Sequence, residues 1–195
     1  MSRWEPNSRE RLGEAALSLF SERGYAATTV EDIAARAGVT ERTFFRHFGD
    51  KREVLFAGTE ALLEIVTAAI TNSDDVAVPF DDVARALDDV AAFIGSRRTR
   101  AEGRVRRGLL LQNPELLERE LIKLATMVTT MAACLTTRGT SQATAILAAE
   151  AGMGVFKAGF DRWLDADTDD TLPDHVRAAF AELGRWSQPA PRLRR

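Results

Sequence analysis

Apolar residues recur along this chain at helical rather than strand spacing almost from end to end. Leu12, Ala15, Ala16, Leu19 and Phe20 form one stripe, with Arg9, Glu10, Glu14, Ser18, Glu22 and Arg23 around the remainder. Gly24 and Tyr25 close this first helix. Tyr25, the only tyrosine, is expected to bury its ring at the corner and keep its hydroxyl wet. Val30, Ile33, Ala34 and Ala37 then recur at i, i+3, i+4 and i+7. Thr29 precedes that helix and Asp32 lies three positions later, a capping box with Asp in place of Glu or Gln. Gly38 sits just past the helix end, where a left-handed backbone costs glycine no Cβ clash. Thr40 can cap the next helix, about 41–48, whose inward residues are Phe44 and Phe48.

Those two phenylalanines orient the rest of that helix. At roughly 100° per residue, Arg42 and Arg46 fall opposite the Phe44/Phe48 face. Glu41 and Phe45 lie on one flank, Thr43 and His47 on the other. Two short helices joined by a glycine turn, with two arginines outward on the second, describe a helix-turn-helix. A guanidinium can donate two hydrogen bonds to guanine O6 and N7, so the arginines suit the major groove. The competing reading of the same face is a solvated basic surface.

The pattern continues through a long fourth helix, about 51–72, capped by Asp50, with Leu55, Leu62, Leu63, Ile65, Val66 and Ile70 as its apolar side. The segment TNSDDVAVPF is turn-rich, and a helix resumes from about Asp81 to Ile94. A run of arginines follows: Arg97, Arg98, Arg100, Arg104, Arg106 and Arg107. Asn113-Pro114 opens another helix, since proline tolerates the first turn, and it extends to about Arg138 before Gly139. Helices at about Ser141–Asp165 and Pro173–Trp186 complete the chain. No strand alternation of length occurs. The expected fold is all-α with about nine helices, a three-helix helix-turn-helix domain at 1–52 and a larger helical domain at 53–188. Residues 189–195 read as a basic tail, expected to be disordered.

From about Arg9 to Leu55 the motifs AALSLFSERGY and TTVEDIAARAGVTERTFFRHFGDKREVLF resemble the TetR family of bacterial transcriptional regulators. The resemblance implies a DNA-binding N-terminal unit and a C-terminal domain for ligand binding and dimerisation. It places Thr29, Thr40, Arg42, Thr43, Phe45, Arg46, His47 and Lys51 at positions that commonly face DNA. Phe45 is a departure: it stands where the family usually has a tyrosine whose hydroxyl contacts a phosphate, so that contact is lost or replaced by packing. The implied partners are a palindromic double-stranded operator, a second copy of the chain and a small-molecule effector. A ligand-released repressor is the leading reading. The competing class is a small-molecule sensor or adaptor with little or no operator binding.

Composition bounds the rest. The 45% hydrophobic and 28% charged fractions describe an ordinary globular protein. Cys134 is the only cysteine, which excludes an internal disulfide and suits a reducing cytoplasm. No uninterrupted apolar run approaches the ~18 residues of a membrane span, and MSRWEPNSRE has no apolar signal region. The formal charge of −3 is a poor guide to partners, because residues 1–52 hold nine Lys and Arg against eight Asp and Glu. Local placement of Arg42, Arg46, Lys51 and Arg52 is what favours DNA. There is no G-x-S-x-G elbow, no phosphate-binding G-x-x-x-x-G-K-[ST] loop and no histidine pair at metal spacing. Asp165, Asp167, Asp169 and Asp170 lack the ordered series of a calcium loop. No enzyme activity, cofactor or metal is expected.

Three features of the C-terminal domain invite functional readings. Met127, Met131, Cys134, Phe156, Phe160 and Trp163, with Phe93 and Arg107, are candidates to line an effector pocket; plain core packing is the alternative. The arginine run is either a charged helix surface and loop or an anchor for an anionic effector. Through RVRRGLLLQNPELLERE the domain is also loosely similar to a TetR branch associated with acyl-CoA-like ligands. Finally, AILAAEAGMGVFKAGF is rich in small residues, and helix-interior glycines cost ~1 kcal/mol each relative to alanine. Close approach of a partner copy would account for them, with Ala148, Ala151, Gly152, Val155, Phe180 and Leu183 as the candidate dimer interface.

Overall fold

The computed structural model describes residues 8–73 and 78–186. Among these residues there are nine α-helices and no strand: α1 (Ser8–Arg23), α2 (Val30–Arg36), α3 (Glu41–His47), α4 (Thr59–Thr71), α5 (Pro79–Arg97), α6 (Arg100–Gln112), α7 (Pro114–Thr137), α8 (Gln142–Asp165) and α9 (Leu172–Trp186). Two helices stop at the expected glycines. Ser141 accepts from the Thr144 N–H at the start of α8, and Gly38 and Gly139 follow α2 and α7 with φ of 69° and 95°.

The chain divides into two compact units. One runs to Ala61 and takes back Glu102–Lys123; the other holds Leu62–Ala101 and the chain from Leu124 on. By its contacts the first unit thus extends past residue 52 and includes 102–123. The reason is packing. Leu109, Leu110 and Leu116 share a core with Leu12, Phe20, Ile33, Phe44, Val54 and Phe56. The expected tail at 189–195 lies outside the described residues.

The fourth helix does not start at 51. A 3-10 turn covers Glu53–Phe56, residues 57–58 form a turn, and α4 begins only at Thr59. Val54, Leu55 and Phe56 are all buried. Three consecutive buried side chains cannot lie on one stripe of a half-exposed α-helix, and Gly58 is a poor helix former. Asp50 is not the cap of α4; its carboxylate accepts from the Arg52 and Glu53 N–H groups at 2.8 and 3.1 Å, in the turn that leads into this segment. Taken together, 53–71 is long and apolar enough for a membrane span. Its residues instead divide between two cores, Val54–Phe56 in one and Leu62, Val66 and Ile70 in the other.

In the second unit α5, α8 and α9 pack on one another. The buried Asp82 carboxylate receives Arg138 at 2.5 Å and Arg85 at 2.7 Å. Arg138 also donates to the Ile70 and Ser73 carbonyls, satisfying acceptors at the end of α4. The small residues of α8 serve this packing. A Cβ on Gly152 would lie 2.3 Å from Val83 Cγ1, and one on Gly159 would lie 2.8 Å from the Val176 Cα. Ala148 and Gly152 are buried within the protomer. These two therefore face α8's own neighbours rather than an open surface, and close approach within one chain accounts for Gly152.

Gly159→Ala is expected to destabilise by ~1–3 kcal/mol through overpacking, despite a helix-propensity gain of ~1 kcal/mol. The same change at Gly108 in α6, where a Cβ meets nothing within 4 Å, should stabilise. Urea unfolding of the two variants checks the contrast.

Candidate nucleic-acid interface

The α2–α3 pair is built by caps at one end and aromatics at the other. At α2, Thr29 Oγ1 accepts the Asp32 N–H (3.1 Å) while Asp32 Oδ2 accepts the Thr29 N–H (3.0 Å), the expected capping box. Arg23 reaches Asp32 at 3.1 Å. Arg36 forks onto Glu22 of α1 at 2.8 and 2.9 Å, and with Ser18 it holds the Glu22 carboxyl down to about 2. The Gly38 N–H returns to Ala35 and that of Val39 to Ala34, which turns the chain tightly. Thr40 then caps α3 through the Thr43 N–H at 3.2 Å.

Phe44 and Phe48 are buried with ring centroids 5.4 Å apart, as their i, i+4 spacing predicts. Arg42 and Arg46 are exposed on the opposite side. Phe45 is 55% exposed, its ring edge-on to Phe44 at 5.4 Å. Thr29 and Thr40 are exposed and Thr43 half-buried. The outer face of α3 thus presents two guanidiniums and a bare aromatic ring from a seat fixed on its inner side.

Two residues that the resemblance assigns to DNA are held inside the unit. Lys51 Nζ donates to the Tyr25 carbonyl (2.8 Å) and the Thr28 carbonyl (2.9 Å), and lies 4.1 Å from the Tyr25 ring centroid. It fixes the corner that precedes α2. His47 Nε2 pairs with Ser8 Oγ at 2.8 Å. Burial, then the positive Arg46 and Arg9, push the His47 imidazole below its ordinary range, so it is neutral at pH 7. Tyr25 packs edge-on against Phe20 at 5.1 Å, as expected of a corner aromatic, but the residue is buried and its hydroxyl is not left in water as expected. Burial, then Glu115, push its hydroxyl up to about 12.

A second cluster in this unit went unforeseen. The Phe56 ring lies 5.2 Å from the Arg106 guanidinium and 5.4 Å from that of Arg119. Arg119 forks onto Glu53 at 2.6 and 3.0 Å. Glu120 receives both Arg106 and Lys123 at 2.7 Å. The arginine run 97–107 is accordingly not one anion anchor. Arg106, in the first unit, is buried against Glu120, while Arg100, in the second, donates to the carbonyls of Ala166, Thr168 and Asp170 of that same second unit.

The candidate pocket residues also separate. Met127, Met131, Phe156 and Trp163 are buried in the core of the second unit, with Phe93, Cys134 and Phe160 packed against it; Arg107 belongs to the first unit. Among the described residues no cluster of His, Cys, Asp or Glu could hold a metal ion.

Residues 12–57 match the family described as bacterial regulatory proteins, tetR family, and residues 78–187 match the MftR C-terminal domain. The chain belongs to the TetR family of bacterial transcriptional regulators. It is 25% identical over 176 residues to the mycofactocin biosynthesis transcriptional regulator MftR of Mycobacterium tuberculosis, spanning 89% of this chain and 87% of that one. It is 46% identical over 63 residues to the regulator TcmR of Streptomyces glaucescens, but spans only 28% of that protein and 32% of this one. The fold is shared with the TetR-family repressor FadR of Thermus thermophilus, solved with lauroyl-CoA, at a TM-score of 0.55 and 21% identity over 94% of this chain and 98% of that one. The relatives are regulators rather than enzymes.

Proposed function

We propose that this regulator is a homodimeric repressor that binds a palindromic operator and is released by a small apolar or acyl-type effector. The observation that carries the operator half is the outer face of α3, with exposed Arg42, Phe45 and Arg46 on a helix whose Phe44 and Phe48 lock it from behind. Thr29, Thr40 and Thr43 are the supporting polar contacts to DNA. Lys51 and His47 position the motif from inside.

The dimer half is supported by the outer sides of α8 and α9. Ile146 and Leu147 are 45% and 71% exposed, and Ala151, Val155 and Leu183 are half-buried. Phe180 is half-buried, its ring tilted against Phe80 with centroids 5.5 Å apart. Two-fold pairing is what a palindrome demands.

The effector half is supported by the apolar, methionine- and aromatic-rich interior of the second unit and by the lauroyl-CoA bound to the Thermus relative. A ligand acts only if it binds the DNA-competent and DNA-incompetent states unequally. Helices α4, α6 and α7 each carry residues of both units, so they are the elements through which occupancy would reach the operator face. The protein would act in the cytoplasm, on operator DNA. Thermal shift with lauroyl-CoA, lauric acid and an uncharged hydrophobic drug tests the effector. A rise in Tm with lauroyl-CoA, and weaker DNA binding over the same concentrations, is expected. A response to the uncharged drug alone rejects the acyl reading.

A further inference from the structure

We infer that Phe45 is a sequence-reading residue, packing its ring on the C5-methyl of a thymine in the operator's major groove. This rests on the operator-binding reading above. Among residues 8–73 and 78–185 Phe45 is the one exposed aromatic ring, and it stands on the helix that carries Arg42 and Arg46 outward. Its seat is rigid, because the ring lies edge-on to the fully buried Phe44, centroids 5.4 Å apart and planes at 81°.

Chemistry then selects the partner. The ring has no donor for a phosphate oxygen. One turn earlier on the same flank stands Glu41, exposed and acidic, which repels the phosphate backbone and favours the placing of this flank over base edges. The thymine methyl is the apolar group that the major groove presents, and phenylalanine is among the side chains that contact it. The arginines beside Phe45 read guanine or phosphate; Phe45 adds discrimination between thymine and the other three bases.

The test uses the full chain. Binding sites are selected from a random double-stranded DNA library, and each thymidine of the selected site is then replaced by deoxyuridine, which removes only the methyl. One symmetric pair of replacements is expected to weaken wild-type binding about fourfold per half-site and about fifteenfold for both, the worth of one buried methyl each. Phe45→Ala should bind the thymine and uracil sites equally, and Phe45→Leu should keep part of the difference. Circular dichroism melting controls for folding, which an exposed side chain leaves intact. Enrichment of a site with no uracil-sensitive position overturns the assignment, as does sensitivity that survives in Phe45→Ala. If no sequence is enriched, the operator-binding reading itself fails, and this inference with it.

Discussion

Glu120→Ala is expected to lower the unfolding free energy by about 3–5 kcal/mol, the cost of breaking a buried ion pair from one side. Glu120 is the carboxylate shared by Arg106 and Lys123, both at 2.7 Å, with the three side chains only 15%, 10% and 12% exposed respectively. Its removal leaves the Arg106 guanidinium, seated on the Phe56 ring, without its carboxylate. The same pair makes stability depend on pH. Burial alone would push the Glu120 carboxyl up, but Arg106 and Lys123 outweigh it and hold it at about 2, against an ordinary 4.5. The unfolded chain therefore takes up the proton first as pH falls. The contribution is fully present above about pH 4.5 and is lost toward pH 2, amounting to about 3 kcal/mol. Urea titrations at pH 7 and pH 3 check both points. The wild type should lose this component, whereas Glu120→Gln, having no charge to titrate, should start less stable and lose less.

The second large effect concerns recognition. Arg42→Ala and Arg46→Ala should each cost ~1–3 kcal/mol against the preferred base at one position per half-site, with preference at that position relaxed. Both side chains are exposed, and the helix that carries them is held by Phe44, Phe48 and the Thr40 cap. The variants should therefore keep the wild-type melting temperature. Fluorescence anisotropy against the selected operator and its single-base variants separates the possibilities. Loss confined to one base position identifies a base contact. Equal weakening on every sequence, with a shallower salt dependence, makes the arginine a phosphate contact instead.

What the sequence made legible is what is local. Caps at Thr29 and Thr40 and stops at Gly38 and Gly139 depend on a few neighbouring residues, and the structure agrees with them. The inward and outward faces of α3 follow from one spacing, Phe44 to Phe48. The illegible features involve distant partners. Glu53 and Arg119 are 66 residues apart, and no periodicity pairs them. The Glu53–Phe56 turn looked like the start of α4 because Leu55 continues an apolar pattern, and only its insertion into the first core breaks the helix there. Gly152 signalled close approach correctly, but sequence does not say whether the neighbour is another chain or, as here, Val83 of the same one. Lys51 was placed with the DNA-facing residues by resemblance, while its ammonium is held by two backbone carbonyls.

That the outer face of α3 reads a specific operator is tested most directly by titrating the full chain onto a palindromic fragment from upstream of its own gene and onto a scrambled duplex. The titrations run across roughly 50–200 mM salt. The expected result is tight binding of two chains to the palindrome, a steep fall with salt, and loss of the preference in Arg42→Ala/Arg46→Ala. Equal affinity for the scrambled duplex, or no binding by a chain that melts cooperatively, contradicts the account.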